Sequence, residues 1–127
     1  MEKTQILKSF SLIVLILFTS GTLFAQKKLT PEGTWKFKAN EAPYEYSTGD
    51  IVIDKENQEY KVTIVFNEYT KLKGNDVKVE DDKISFKAYV EGEVVNIKGS
   101  FTKDELNGKA SYSEGTIPFE STRKKEK

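Results

Sequence analysis

The sequence predicts an all-β domain, an eight-stranded antiparallel up-and-down meander. Three observations carry this. Apolar and polar residues alternate with period two almost everywhere after residue 25, and no stretch there holds a 3.6-residue apolar period over three turns. Turn residues recur roughly every 8–12 positions, the spacing of a barrel or a sandwich. Most connections are short, and short connections join neighbouring antiparallel strands. Eight meandering strands are about the number that closes into a small barrel, whose interior holds side chains or one small ligand. A two-sheet β-sandwich is the alternative.

Residues 1–25 read as a secretory signal peptide. Lys3 and Lys8 give a positive start, Phe10 to Phe18 is apolar, and a short polar stretch leads to Ala25. Cleavage is expected between Ala25 and Gln26. The apolar run is about half of the roughly 20 residues a spanning helix needs, so no membrane association is expected after cleavage. No Cys follows it, so a lipoprotein anchor is not expected. The protein is therefore expected in the periplasm or outside the cell. Without cysteine it has no disulfides, and its core must hold the fold alone.

Residues 26–32 form an N-terminal segment, 33–123 the β domain, and 124–127 a short basic tail expected to be frayed. The first strand, 34–39, turns Trp35, Phe37 and Ala39 to one face and lysines to the other. Strand 50–54 follows with Ile51 and Ile53 inward, then 59–67 with Tyr60, Val62, Ile64 and Phe66. The fourth, 76–80, offers Val77 and Val79; the fifth, 83–90, offers Ile84, Phe86, Ala88 and Val90. Val95, Ile97, Gly99 and Phe101 face inward from 93–101, and Leu106, Gly108, Ala110 and Tyr112 from 105–113. The last strand, 116–122, contributes Ile117, Phe119 and Ser121. The opposite positions are mostly Lys, Ser, Thr, Asn and Glu, as in a sheet with one wet and one buried face. In such a meander the two longest loops, 40–49 and 68–75, share one end, and only short turns close the other. Binding sites favour the loop-bearing end.

Gly33-Thr34-Trp35 at the head of the first strand resembles the GxW motif of the lipocalin-like (calycin-type) barrels. Thr30-Pro31 before it suits an N-cap and first helical residue of one short turn plugging a barrel end. Arg123 stands after the last strand, where that family places an arginine packed across the tryptophan. The resemblance implies a closed barrel. The strand layout agrees with it: the first strand begins and the last ends at the closed end, so Trp35 and Arg123 are expected together there, with Gly33, Gly99 and Gly108 completing a structural group. Gly99 and Gly108 are expected opposite each other, making room for the indole or letting the strands coil. Two features depart from the family: the turn Thr102-Lys103-Asp104 carries no second motif, and Pro118 lacks an N–H inside the last strand.

Catalysis is not expected. The chain has no His and no Cys, the commonest general base and the thiol nucleophile. Acidic pairs such as Asp81-Asp82 and Glu91/Glu93 fall at turns and read as solvated charges. No metal or other cofactor is implied. Loss of Lys3, Lys8 and Glu2 with the leader makes the net charge about −1, which gives no attraction to nucleic acid or an acidic membrane. A monomer is expected. The candidate ligand-binding residues are Phe37, Tyr44, Tyr46, Phe66, Tyr69, Val90 and Tyr112 at the open end, joined by Val95 and Ile117. Tyrosines there suit a small amphipathic ligand, each offering area and one hydroxyl. The alternative is a filled barrel whose rim tyrosines, with Glu41 and Glu45, contact a protein or a glycan.

Overall fold

The computed structural model describes residues 30–125. The signal peptide, its cleavage site between Ala25 and Gln26, and the end of the basic tail lie outside them. Nine strands are present: β1 (Gly33–Lys38), β2 (Thr48–Glu56), β3 (Glu59–Val65), β4 (Lys71–Lys73), β5 (Asn75–Glu80), β6 (Lys83–Val90), β7 (Glu93–Phe101), β8 (Glu105–Tyr112) and β9 (Gly115–Arg123). They form one sheet in the order β4-β3-β2-β1-β9-β8-β7-β6-β5, with every pair antiparallel. The first and last strands pair from Trp35↔Arg123 to Lys38↔Glu120. That join turns the meander into a nearly closed barrel and replaces the sandwich alternative. Pro118 does not oppose it, because it lies two residues beyond the last β1 pair.

The ninth strand arises from a split. The predicted strand 76–80 begins earlier, and its first part, β4, pairs with β3, whereas β5 pairs with β6. One run of chain thus changes partners at Gly74 and stitches the two flanks of the sheet together. The Gly74 N–H donates to the Val62 carbonyl at 2.8 Å. A β-carbon on Gly74 would stand 3.0 Å from Val62 Cβ and 3.1 Å from Phe86 Cδ2, so the seam closes around a hydrogen atom. Lys71-Leu72-Lys73 offers only one apolar residue, too little alternation to read as a strand.

The alternating residues fill the barrel as their parity requires. Trp35, Ile53, Val62 and Leu106 are fully buried, with Ile84, Phe86, Ala88 and Phe101 around them. Removing each such side chain from water contributes about 1.5–3 kcal/mol.

The closed end is built around Trp35. Its indole N–H donates to the Pro31 carbonyl at 3.0 Å, and Phe101 packs beside it at 5.3 Å between ring centroids. The Arg123 guanidinium lies 4.1 Å above the indole. It also donates to the carbonyls of Glu32 (2.7 Å), Thr30 (2.5 Å) and Lys103 (3.3 Å). Residues 30–32 therefore make no helical turn. Their carbonyls are taken by Trp35 and Arg123 instead of by helix N–H groups, and the segment straps the barrel end. Gly33 has φ 137°, and a β-carbon on it would meet Arg123 Nη1 at 2.8 Å. Gly99 and Gly108 pair directly. A β-carbon on Gly108 would overlap the Lys98 carbonyl oxygen at 2.0 Å, and one on Gly99 would meet Leu106 Cδ1 at 2.8 Å. They let β7 and β8 approach and make room for Leu106 rather than for the indole. Lys124, read as tail, is held by Thr34 O (2.8 Å) and by Asp50 Oδ2 (2.9 Å).

Trp35→Ala is expected to cost about 3–5 kcal/mol, and Arg123→Ala about 1–2 kcal/mol from the lost hydrogen bond to the half-buried Glu32 carbonyl and the lost stacking on Trp35. Urea denaturation midpoints measure both. An unchanged midpoint for Trp35→Ala would show that the strapped end does not hold the barrel.

Candidate functional site

The packed core does not reach the other end. Above Phe37, Ile51, Ile64, Phe86 and Ile97 lies a cavity of about 270 Å³. One water needs about 10–15 Å³ and an apolar cavity of about 150 Å³ holds benzene, so a small organic molecule fits. Small side chains keep it open: Ala39, Ala42 and Ala110 line it where larger residues would fill it. Ala110 sits on β8 between Ile97 of β7 and Ile117 of β9. Gly49 acts differently, by letting β2 pack closely: a β-carbon there would stand 2.8 Å from Phe37 Cε1 and 2.5 Å from the Val65 carbonyl oxygen.

The loop between β1 and β2 forms part of the wall. Ala39 N–H donates to Ser47 O at 2.7 Å and Ala42 N–H to Ala39 O at 3.1 Å, and a short 3-10 helix covers Tyr44–Tyr46. Tyr46 packs edge-on against Phe66 at 5.1 Å, and Phe66 packs edge-on against Phe37 at 5.8 Å. Such aromatic contacts contribute roughly 0.5–1.5 kcal/mol each beyond the area they bury, enough to seat the loop on the barrel.

The wall's polar groups come from Tyr46, Tyr112 and three carboxylates, Glu91, Glu93 and Glu114. Glu91 sits in the two-residue β6–β7 turn, where Glu91 and Gly92 both take positive φ (52° and 81°), the form that matches strand twist. Its Oε2 accepts from the Tyr46 hydroxyl at 3.3 Å. Partial burial pushes the Tyr46 hydroxyl above its ordinary pKa, and the negative charges of Glu91 and Glu45 push it the same way. Glu93 Oε1 accepts from the Ser113 backbone N–H at 2.7 Å, tying the start of β7 to the β8–β9 turn. Hydrogen bonding by Ser113, side chain and main chain, holds the Glu93 carboxyl below the ordinary glutamate range.

Five of the seven predicted ligand-binding residues, Phe37, Tyr46, Phe66, Val90 and Tyr112, line this cavity, as do Val95 and Ile117. Tyr44 and Tyr69 do not: they are 95% and 92% exposed. Tyr44 opens the 3-10 helix and points away while Tyr46 turns inward. Tyr69 sits at the tip of the β3–β4 turn, where Asn67 Oδ1 accepts from the N–H groups of Tyr69 (2.8 Å) and Thr70 (2.9 Å). The sequence reading treated Glu91 and Glu93 as solvated turn charges and placed no acid inward. Glu91 is exposed in its turn, as expected, although it borders the mouth of the cavity together with the exposed Glu114; the correction is Glu93, which opens β7 and is half-buried. Its signal was present, because Glu93 shares the parity of Val95 and Ile97.

Among the described residues, no group of three or more His, Cys, Asp and Glu is placed to hold a metal ion, and no helix is long and apolar enough to cross a membrane. No protein-family model, curated protein or solved structure matches the chain.

Space beside Ala110 predicts tolerance there. Ala110→Phe is expected to change stability by less than about 1 kcal/mol, because its ring enters a void, whereas Gly108→Ala, two residues away, is expected to cost about 1–3 kcal/mol by overpacking. Denaturation of both variants checks this. An equal loss in the two would mean that Ala110 faces packed atoms.

Proposed function

We propose that this chain is an exported lipocalin-like barrel that binds a small, partly apolar molecule in its open-ended cavity. The cavity is the observation that carries the reading: about 270 Å³, walled by aliphatic and aromatic side chains, with polar groups limited to two tyrosines and three glutamates. Small-molecule sites combine mostly apolar walls with a few polar groups in this way. The stacking of Arg123 on Trp35 and the pairing of β1 with β9 support the lipocalin-like assignment. No Ser, Thr, His, Cys, Lys or Arg is among the described residues lining the cavity, which favours binding over nucleophilic catalysis.

A second reading has its own observation. Tyr44 and Tyr69 are almost wholly exposed at the loop-bearing end, and exposed tyrosines make good interface anchors. This reading makes the barrel an interaction module for a protein or a glycan.

Native mass spectrometry of the protein purified from its own source separates the two. A co-purifying small molecule that is released on denaturation, and is missing from an Ala110→Phe copy, is the expected result. Tyr46→Ala should weaken its retention several-fold and Tyr44→Ala should leave it unchanged. A bare protein mass throughout, or equal sensitivity to the two tyrosines, would favour the interaction module.

A further inference from the structure

We infer that the molecule held in the cavity is a cationic amphiphile, with an aliphatic or aromatic body and a protonated amine at its head. The inference rests on the reading of the cavity as a binding site and adds the charge of its occupant. The apolar void makes the site; the carboxylates around it select.

The polar groups on the wall come from separate parts of the chain. Glu91 lies in the β6–β7 turn and Glu93 opens β7 just after it, Glu114 lies in the β8–β9 turn, and Tyr46 belongs to the β1–β2 loop. These connections all lie at the loop-bearing end, so the cavity is apolar at depth and acidic toward solvent. Among the described residues lining it there is no Lys or Arg. The ion pairs of the described residues, Lys61–Glu56, Lys87–Asp76 and Lys124–Asp50, all lie elsewhere, so none neutralises the rim. Glu91 and Glu93 each accept from a neighbour, Tyr46 or Ser113, and each carboxylate keeps further acceptor capacity. A carboxylate accepts several hydrogen bonds and donates none when ionised. Tyr46, its hydroxyl already directed to Glu91, presents lone pairs as well. An ammonium is the small head group that suits such a rim, having only donors and a positive charge. A fatty acid would bring a fourth negative charge to three uncompensated ones. An alcohol would meet the same acceptors without the charge. The carboxylates are too dispersed to form a metal site, and a bare ion would leave the apolar depth unused.

The test compares octylammonium, octanol and octanoate, one hydrocarbon body with three heads, titrated by calorimetry into protein purified from cells expressing the full chain. Octylammonium is expected to bind roughly tenfold more tightly than octanol, and octanoate most weakly. The preference should shrink as ionic strength rises from about 0.01 to 1 M, where screening shortens from about 30 to 3 Å. It should vanish in the triple variant Glu91→Gln/Glu93→Gln/Glu114→Gln. Equal binding of all three probes, or a preference for octanoate, overturns the cationic head and leaves the cavity reading standing. A preference that survives both salt and the triple variant overturns the assignment to the rim. Failure of every probe to bind overturns the cavity reading itself. Should the triple variant not fold, the salt series on the unaltered protein decides the question.

Discussion

The contact between Arg123 and Trp35 joins the two ends of the meander. One side chain stacks on the indole and also donates to carbonyls of the strap and of the β7–β8 turn. Its position follows from pairing, since Trp35↔Arg123 is the first rung between β1 and β9. A sheet that closes on itself has no free edge at that join, and the clasp there uses arginine's planar, many-donor head, which lysine does not reproduce. Gly33 belongs to the same device. Its positive φ disfavours any side chain, and a β-carbon would also push aside the Arg123 guanidinium, which gives the Gly-x-Trp spacing a physical cause within this chain.

The opposite side of the barrel closes differently. There the chain passes from β3's partner to β6's partner in one run, with Gly74 at the change and Asp76 in a left-handed conformation just after it. The bulge between Asn75 and Lys78 adds local twist. Closure by a strand that switches partners needs no second tryptophan and no strap. It requires that nothing project at Gly74, where Val62 and Phe86 meet. The barrel is thus sealed by a strong polar and aromatic clasp on one flank and by close packing on the other.

Most of this architecture could be read from the alternation of residues. Parity placed Trp35, Phe37, Ile51, Ile64, Phe86, Ile97 and Leu106 inside, because a one-residue slip would expose the whole set. The split of the fourth strand was invisible, since Lys71-Leu72-Lys73 has one apolar residue and its pairing is decided by neighbours distant in sequence. The cavity wall was partly readable for the same reason as the core: Phe37, Phe66, Val90 and Tyr112 continue inward rows. Loop residues follow no such rule. Tyr44 and Tyr46 look equivalent in sequence, and one turn of 3-10 helix sends them in opposite directions. Glu93 was misread for a different reason. Its chemistry suggested solvent and its parity suggested the interior, and in this barrel parity prevailed, with the Ser113 N–H meeting the charge.

That compromise bears on how the proposed binding and the stability of the fold would be divided in the molecule. Residues beneath the cavity, such as Phe37 and Ile51, also belong to the core, so altering them changes the fold along with any ligand contact. Of the polar groups at the mouth, Glu91 and Glu114 lie exposed in turns, where few core contacts make substitution inexpensive. A barrel built this way keeps its apolar depth nearly constant, because the core depends on it, while its turns remain free to vary. In the binding reading proposed above, the depth sets how large a body enters and the turns set which head group is welcome. Charge at the mouth is then where selectivity is most easily tuned, and Glu91, Glu93 and Glu114 occupy that place at the end of the barrel opposite the clasp of Trp35 and Arg123.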